Sequence, residues 1–387
     1  MKQNWTYKKF SEVFNLQMGK TPSRDNLSYW GGDNIWVSIA DMKGKYIDST
    51  KEHITDIAVS ESGIHKVPQG TAIMSFKLTI GRAAITKYDL FTNEAIMSFE
   101  PKDANILLPD YVFYYLKGCK WAGANKAVMG QTLNKKTISE NIFAYPSLEL
   151  QSRIVSELDL LQSIIDKQKA QLKEYDTLAQ AVFYDMFGDL EASKYTLIEL
   201  CDSKDDIKCG PFGTQLSKTE YQKSGVAVWG IPQINSHFKI PPSDYVSEEK
   251  AINLKDYSVI AGDIVMSRKG NVGQCCVFPK SFSSGIIHSD VLRLRLNPHK
   301  ADSLFMMYQL HLSKNVKYQI QLVSSGAIMP GINVTKLKNI VVEVPPLPLQ
   351  QSFAAKIESI EKQKAAISKS IAETEKLFEY TMDKYFG

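Results

Sequence analysis

The sequence predicts an α+β protein in which two mixed α/β domains are separated by two long helices forming an antiparallel coiled coil. Three observations carry this expectation. A stretch of helical periodicity from Leu150 to Phe187 returns as Leu349 to Phe386 at one unbroken offset (349 minus 150 is 199). A hairpin pattern ahead of the first stretch returns ahead of the second at an offset of 192 (266 minus 74). The regions before and between the helices mix short alternating strands with turns rich in Gly, Asn and Asp. The chain is therefore a pseudo-two-fold internal repeat of domain, rod, domain, rod.

In the first rod Ile154, Leu158, Leu161, Ile165, Gln168, Leu172, Tyr175, Ala179, Val182 and Met186 step by four and three, which is a heptad seam. The second rod keeps the frame with Phe353, Ile357, Ile360, Lys364, Ile367, Ile371, Thr374, Phe378, Thr381 and Tyr385, and its seam is more polar. The first helix is expected from near Ser147 and the second from near Pro348. Each ends at a glycine, Gly188 or Gly387, the common C-terminal cap. About 40 residues at ~1.5 Å each make a rod of roughly 60 Å. The short connection from Gly188 to Tyr195 favours an antiparallel pair, although the sequence also allows a parallel one.

Before the first rod, Met18 to Met42 places two polar loops around a strand centred on Ile35 to Ile39. From Thr71 the pattern is strand, tight turn at Lys77, Leu78 and Thr79, and strand, then a third strand at Ala95 to Phe99 and a helix from Asp110 to Leu116. The second domain repeats the plan. Met74, Ser75, Lys77 and Gly81 match Met266, Ser267, Lys269 and Gly273, and Asp110 and Phe113 match Asp302 and Phe305. By Asn134 and Asn333 the offset has grown to 199 (333 minus 134). Length varies inside the domains and not in the rods, as expected if loops carry specificity and helices serve as spacers. The segments are a first domain at 1–137, a helical spacer at 138–188, a second domain at 189–336 and a second spacer at 337–387.

With 387 residues, 44% of them hydrophobic and 23% charged, the chain can bury two real cores. A net charge of +4 permits a nucleic-acid partner without indicating one. No apolar run has the length of a membrane span, and MKQNWTYKKF lacks the apolar centre of a signal peptide, so a cytoplasmic protein is expected. Five cysteines without a CxxC pair read as buried thiols in a reducing compartment.

Catalytic signatures are missing. Gly19, Lys20 and Thr21 resemble the end of a phosphate-binding loop, but Phe14 stands where its first glycine belongs. Pro241–Pro242 and Pro345–Pro346 follow Ile240 and Val344, where an amino-methyltransferase motif would carry Asn. The six histidines lack metal-ligand spacing, and His288 beside Asp290 reads as a satisfied strand end. No catalytic residue, cofactor or metal is expected.

Side chains able to read base edges are present on the turns. Lys77, Thr79 and Arg82 occupy or flank the first hairpin turn, with Gln131, Asn134 and Lys135 in the GQTLNKK stretch before the first rod. In the second domain the candidates are Arg268, Lys269, Asn271 and Gln274 on the hairpin, with Lys208, Thr214 and Gln215 in an earlier loop. Arg and Lys donate to guanine O6 and N7, while Asn and Gln pair with adenine N6 and N7. The plain alternative, that these are merely solvated turns, fits any one residue but not basic groups on the same turn of both copies.

Several stretches together resemble the specificity subunits of type I restriction-modification systems: GKTPSRDNLSYWGGDNIWVSIADM, IKCGPFGTQL, GDIVMSRKGNVG, and the rod entries ISENIFAYPSLELQSRIV and LKNIVVEVPPLPLQQSFA. The likeness spans nearly the whole chain. It implies two target recognition domains held by two conserved helices, each domain reading one half of a bipartite, asymmetric site in double-stranded DNA. It also implies that methyltransferase subunits dock on this scaffold and that an ATP-dependent motor subunit joins for restriction, so that catalysis belongs to partners. The rival class is a coiled-coil adaptor whose domains bind proteins. The adaptor would lack the steep salt dependence that phosphate contacts impose.

Overall fold

The computed structural model describes residues 2–121, 125–127, 130–188, 190–324 and 331–387, with the side chains of residues 78, 125–127 and 130–132 outside that description. Contacts divide the chain into two compact units, Met1–Ala170 with Ser368–Gly387, and Gln171–Ile367.

In the first unit a five-stranded sheet has the order Phe14–Met18, Ile96–Pro101, Ala72–Ser75, Ala83–Thr86, Tyr46–Ile47, antiparallel except at its last pair. Ala72–Ser75 and the first four residues of Ile96–Pro101 are buried, which is why AIMS and IMSF read as continuous apolar runs instead of alternating ones. The helix Pro109–Gly118 supplies Tyr111, Phe113, Tyr114, Tyr115 and Leu116 to the same core. A smaller sheet, Glu52–Ile54, Trp30–Val37 and Phe91–Thr92, covers a second cluster around Trp36.

The second unit repeats the first four strands of the main sheet in the same order, Ile207–Cys209, Val291–Leu294, Ile264–Ser267, Cys275–Val277, followed by the helix Ser303–Leu312. Each domain is tied to its rod entry by an antiparallel pair: Thr6–Lys9 with Ile142–Tyr145, and Ser193–Thr196 with Val341–Val344.

The rods are single helices of 40 residues each, Leu148–Phe187 and Leu347–Phe386. In the first unit Gln168 Nε2 donates to Ser370 Oγ at 2.8 Å and Tyr385 OH donates to Glu157 at 2.9 Å, so the segments run antiparallel. The second unit also runs antiparallel, with Lys364 2.8 Å from Asp176 and Phe183 against Phe353. The predicted seam is the buried one: Ile154, Leu158, Leu161, Ile165, Ala179, Phe353, Ile357, Ile360 and Ile371 all lie in cores. Two of its polar members are held by partners, while Gln168, which donates to Ser370, keeps a buried Oε1 without a donor among the described residues. Lys364 is held by both Asp176 and Glu361, and Thr374 Oγ1 donates back to the Ser370 carbonyl at 2.9 Å.

Two expectations need correction. Lys77–Leu78 is a short strand paired with Gln131–Thr132, so the tight turn begins only afterwards. The helix repeat is also shifted from 192 to 194. Leu108 N–H donates to Gln151 Oε1 and Asp302 N–H donates to Gln350 Oε1, which makes Leu108 and Asp302 equivalent (302 minus 108). Asp302 caps its helix by accepting from Phe305 N–H at 2.9 Å. Asp110 instead accepts from Tyr46 OH and pairs with Lys45 at 2.6 Å. The shared letter Asp thus conceals two different roles.

Candidate nucleic-acid interface

The hairpin turns of the two domains are closed by the same backbone bonds and carry different side chains. Ser75 N–H donates to Arg82 O at 2.8 Å and Gly81 N–H to Ser75 O at 3.2 Å. At the matching positions Ser267 donates to Gln274 O at 2.8 Å and Gly273 to Ser267 O at 3.2 Å. Gly81 (φ 84°) and Gly273 (φ 88°) occupy the left-handed region that closes the turn. On this shared frame Lys77 matches Lys269, Thr79 matches Asn271 and Arg82 matches Gln274.

A second segment joins each turn. In the first domain the pairing of Gln131–Thr132 with Lys77–Leu78 brings the GQTLNKK backbone alongside; the Gln131 side chain lies outside the described residues. In the second, Lys269 bridges Gly331, and Ile332 N–H donates to Arg268 O at 3.2 Å. Asn134 and Asn333 both cap the short helix that follows, accepting from Thr137 N–H and Lys336 N–H at 2.8 Å. The Asn134 side-chain oxygen is therefore engaged in the cap, which leaves Lys135 exposed beside it.

Lys77 and Thr79 are exposed, and the Lys77 ammonium sits 5.5 Å over the Phe76 ring. Lys269 is exposed but 2.9 Å from Asp290. Arg268 is half-buried: Nε donates to Ile332 O at 3.3 Å, Nη1 to Ser289 O at 3.5 Å, and its guanidinium lies 5.0 Å over Phe212. It fastens three loops together. Asn271 is exposed and Gln274 half-buried. Lys208 and Gln215 belong to a separate group around Tyr257, whose hydroxyl donates to Gln215 Oε1 at 3.0 Å while the Lys208 ammonium lies 5.0 Å over its ring. Thr214 is exposed in the same loop.

Sequence reasoning missed neighbours that the fold supplies. Arg82, whose Nη1 donates to Ile39 O at 3.2 Å, lines a depression with Lys43 and Lys117. No carboxylate lies within 4 Å of either lysine among the described residues, and the run Lys43-Gly44-Lys45 was legible as a basic loop. Arg24 stacks 3.8 Å over Trp30 and pairs with Glu52. Nearby, the Thr21 hydroxyl donates to Glu94; that bond, with Lys77 and Arg24 close by, holds the Glu94 carboxyl below the usual carboxylate range. Gly19 is packed against the Thr92 and Asn93 carbonyls, where a Cβ would come within 2.3 Å of both. Among the described residues no cluster of three or more His, Cys, Asp or Glu could hold a metal, and no helix is long and apolar enough to cross a membrane.

Two copies of one α+β domain with a common hairpin frame, each joined to one of a pair of equal helices, define a class of duplicated recognition scaffold. Residues 2–174 and 193–376 match the family model described as type I restriction modification DNA specificity domain, and the chain belongs to that family as a type I specificity subunit. It is 24% identical over 386 residues to the Type I restriction enzyme MjaIX specificity subunit of Methanocaldococcus jannaschii, covering 92% of this chain and 87% of the relative. It is also 24% identical over 193 residues to the EcoR124I/EcoR124II specificity subunit of Escherichia coli, covering 48% and 47%. Among solved structures, the fold matches a chain from a study of complex assembly and conformational transition of the type I R-M system, with a TM-score of 0.64, 18% identity and coverage of 100% and 98%. The S subunit from M. genitalium matches with a TM-score of 0.56, 14% identity and coverage of 99% and 96%.

Proposed function

We propose that each domain reads one half of a bipartite, asymmetric site in double-stranded DNA, and that the paired helices set the gap between halves. The observation that carries this reading is the common hairpin frame: the same backbone bonds present Lys77, Thr79 and Arg82 in one copy and Lys269, Asn271 and Gln274 in the other. A shared frame with different side chains is what two related readers of different sequences require. Lys43, Lys117 and Lys135 are suited to phosphate contacts, which position a reader without specifying sequence. Methyltransferase subunits dock on the helical scaffold and an ATP-dependent motor subunit joins for restriction, so that methyl transfer and cleavage reside in those partners.

Mapping modified adenines in a genome carrying the system tests the reading. A split site is expected, and a continuous palindrome would sink the two-reader model. Inserting a few residues between Phe187 and Tyr195 should lengthen the spacer and leave both half-sites alone; altered half-sites would make the rods part of the reader. Asn271→Ala should relax one position of one half-site at a cost of about 1 to 3 kcal/mol. The check is competition binding of the assembled complex against duplexes randomised in each half. Arg268→Ala should weaken the same half-site, but through loosened loops and hence at several positions.

A further inference from the structure

The two junctions between domain and rod are built from equivalent residues, and at one of them a ring is missing. In the first, Thr6 pairs with Tyr145, and Trp5, just ahead of it, packs on Tyr111 with centroids 6.4 Å apart. Tyr111 in turn lies 5.7 Å from Phe386. In the second, Ser193 pairs with Val344, and Phe305 stands in for Tyr111 at 4.8 Å from Phe187. The residue ahead of that strand is Ala192, not tryptophan.

Where the indole would lie there is a cavity of about 270 Å³, lined by Ala192, Phe183, Phe187, Phe305 and Gln309, with Lys314 among the polar residues of its wall. Gln309 is only 4% exposed. Its Nε2 donates to Glu343 O at 2.6 Å, but its buried Oε1 receives no donor among the described residues. Tyr115, the matching residue of the first junction (309 minus 115 is 194), is satisfied on both counts. Its hydroxyl donates to Ile142 O at 3.0 Å and accepts from Ala144 N–H at 3.2 Å. A buried acceptor without a donor carries a desolvation cost that a donor from outside would relieve.

We propose that this cavity binds a flat aromatic ring bearing an N–H donor, an indole, which fills the place that Trp5 fills in the first junction. The phenylalanine walls take the ring edge-on or offset, as aromatic pairs prefer, and Gln309 Oε1, closed to solvent in this structure, accepts the N–H once its amide turns toward the ring. Both a tryptophan side chain of another polypeptide and a free indole-type molecule carry this chemistry.

The test titrates the full chain with indole, with N-acetyltryptophanamide and with indene, which has the same shape and no N–H, using calorimetry and ligand-observed NMR. Saturable indole binding is expected, with indene weaker by about five-fold for one net hydrogen bond. Ala192→Trp should abolish binding and raise Tm by filling the space from within. If that variant fails to fold, Ala192→Phe serves as the smaller plug. Binding of N-acetyltryptophanamide as well supports a polypeptide side chain as occupant, and its exclusion while indole still binds supports a free aromatic molecule. Absence of saturable indole binding, or unchanged binding in a folded plug variant, overturns the site. Equal binding of indene overturns the role given to Gln309.

Discussion

Gln151→Leu should destabilise the first unit by about 3 kcal/mol or more, because it strands three backbone groups at once. Gln151 is 0% exposed, its Oε1 accepts from Leu108 N–H at 2.9 Å, and its Nε2 donates to Ile106 O at 2.8 Å and Pro146 O at 2.9 Å. Leucine matches the volume and none of the bonds. Gln350→Leu should cost less, since among the described residues the Gln350 side chain holds two backbone groups, Asp302 N–H at 2.9 Å and Pro345 O at 2.7 Å. Urea unfolding measures both effects, with hydrogen exchange at Leu108 reporting on the first and at Asp302 on the second. A loss below about 1 kcal/mol for Gln151→Leu would mean that water satisfies these groups and that the glutamine is not the fastener of domain to rod.

The second large effect is on pH. His311 Nε2 accepts from Cys275 N–H at 3.1 Å, a bond that protonation of that nitrogen destroys. Burial, with His237 and Lys317 nearby, pushes its pKa down to about 4 from 6.5. In this window the unfolded chain binds the proton and the folded chain does not. Stability is therefore complete above about pH 6.5 and falls as the pH drops toward 4, by up to roughly 3 kcal/mol. His237 is also lowered, first by burial, and adds to the slope in the same direction. His311→Gln keeps an acceptor for Cys275 and removes the titration. Its urea-unfolding free energy should fall less between pH 7 and pH 5 than that of the parent chain, and equal slopes would clear His311 of the effect.

Most of the fold was legible because the rods announce themselves. A period of 3.5 residues held over a common offset of 199 fixes the helices, and Gly188 and Gly387 mark their ends. The hairpins were legible for a similar reason, since Ser75 and Ser267 with Gly81 and Gly273 are demanded by one turn geometry. The helix after them was misaligned by two residues because Asp110 and Asp302 share a letter and not a bond. Side-chain commitments were not legible at all. Nothing in the local pattern shows that the Asn134 side-chain oxygen caps a helix or that Arg268 holds loops together. The depression shared by Arg82, Lys43 and Lys117 depends on residues far apart in the chain, which no local pattern reveals.

The way the chain divides into compact units has a consequence for its synthesis. Unit 171–367 is contiguous, so everything it packs exists once residue 367 has been made. The other unit begins first but needs residues 368–387, whose Phe378, Met382 and Phe386 complete the core around Tyr111 and Tyr115. The domain that emerges first from the ribosome therefore finishes folding last. It holds an uncovered aromatic face until a closure across some two hundred residues becomes possible, the kind of long-range contact that forms slowly and leaves apolar surface open to aggregation.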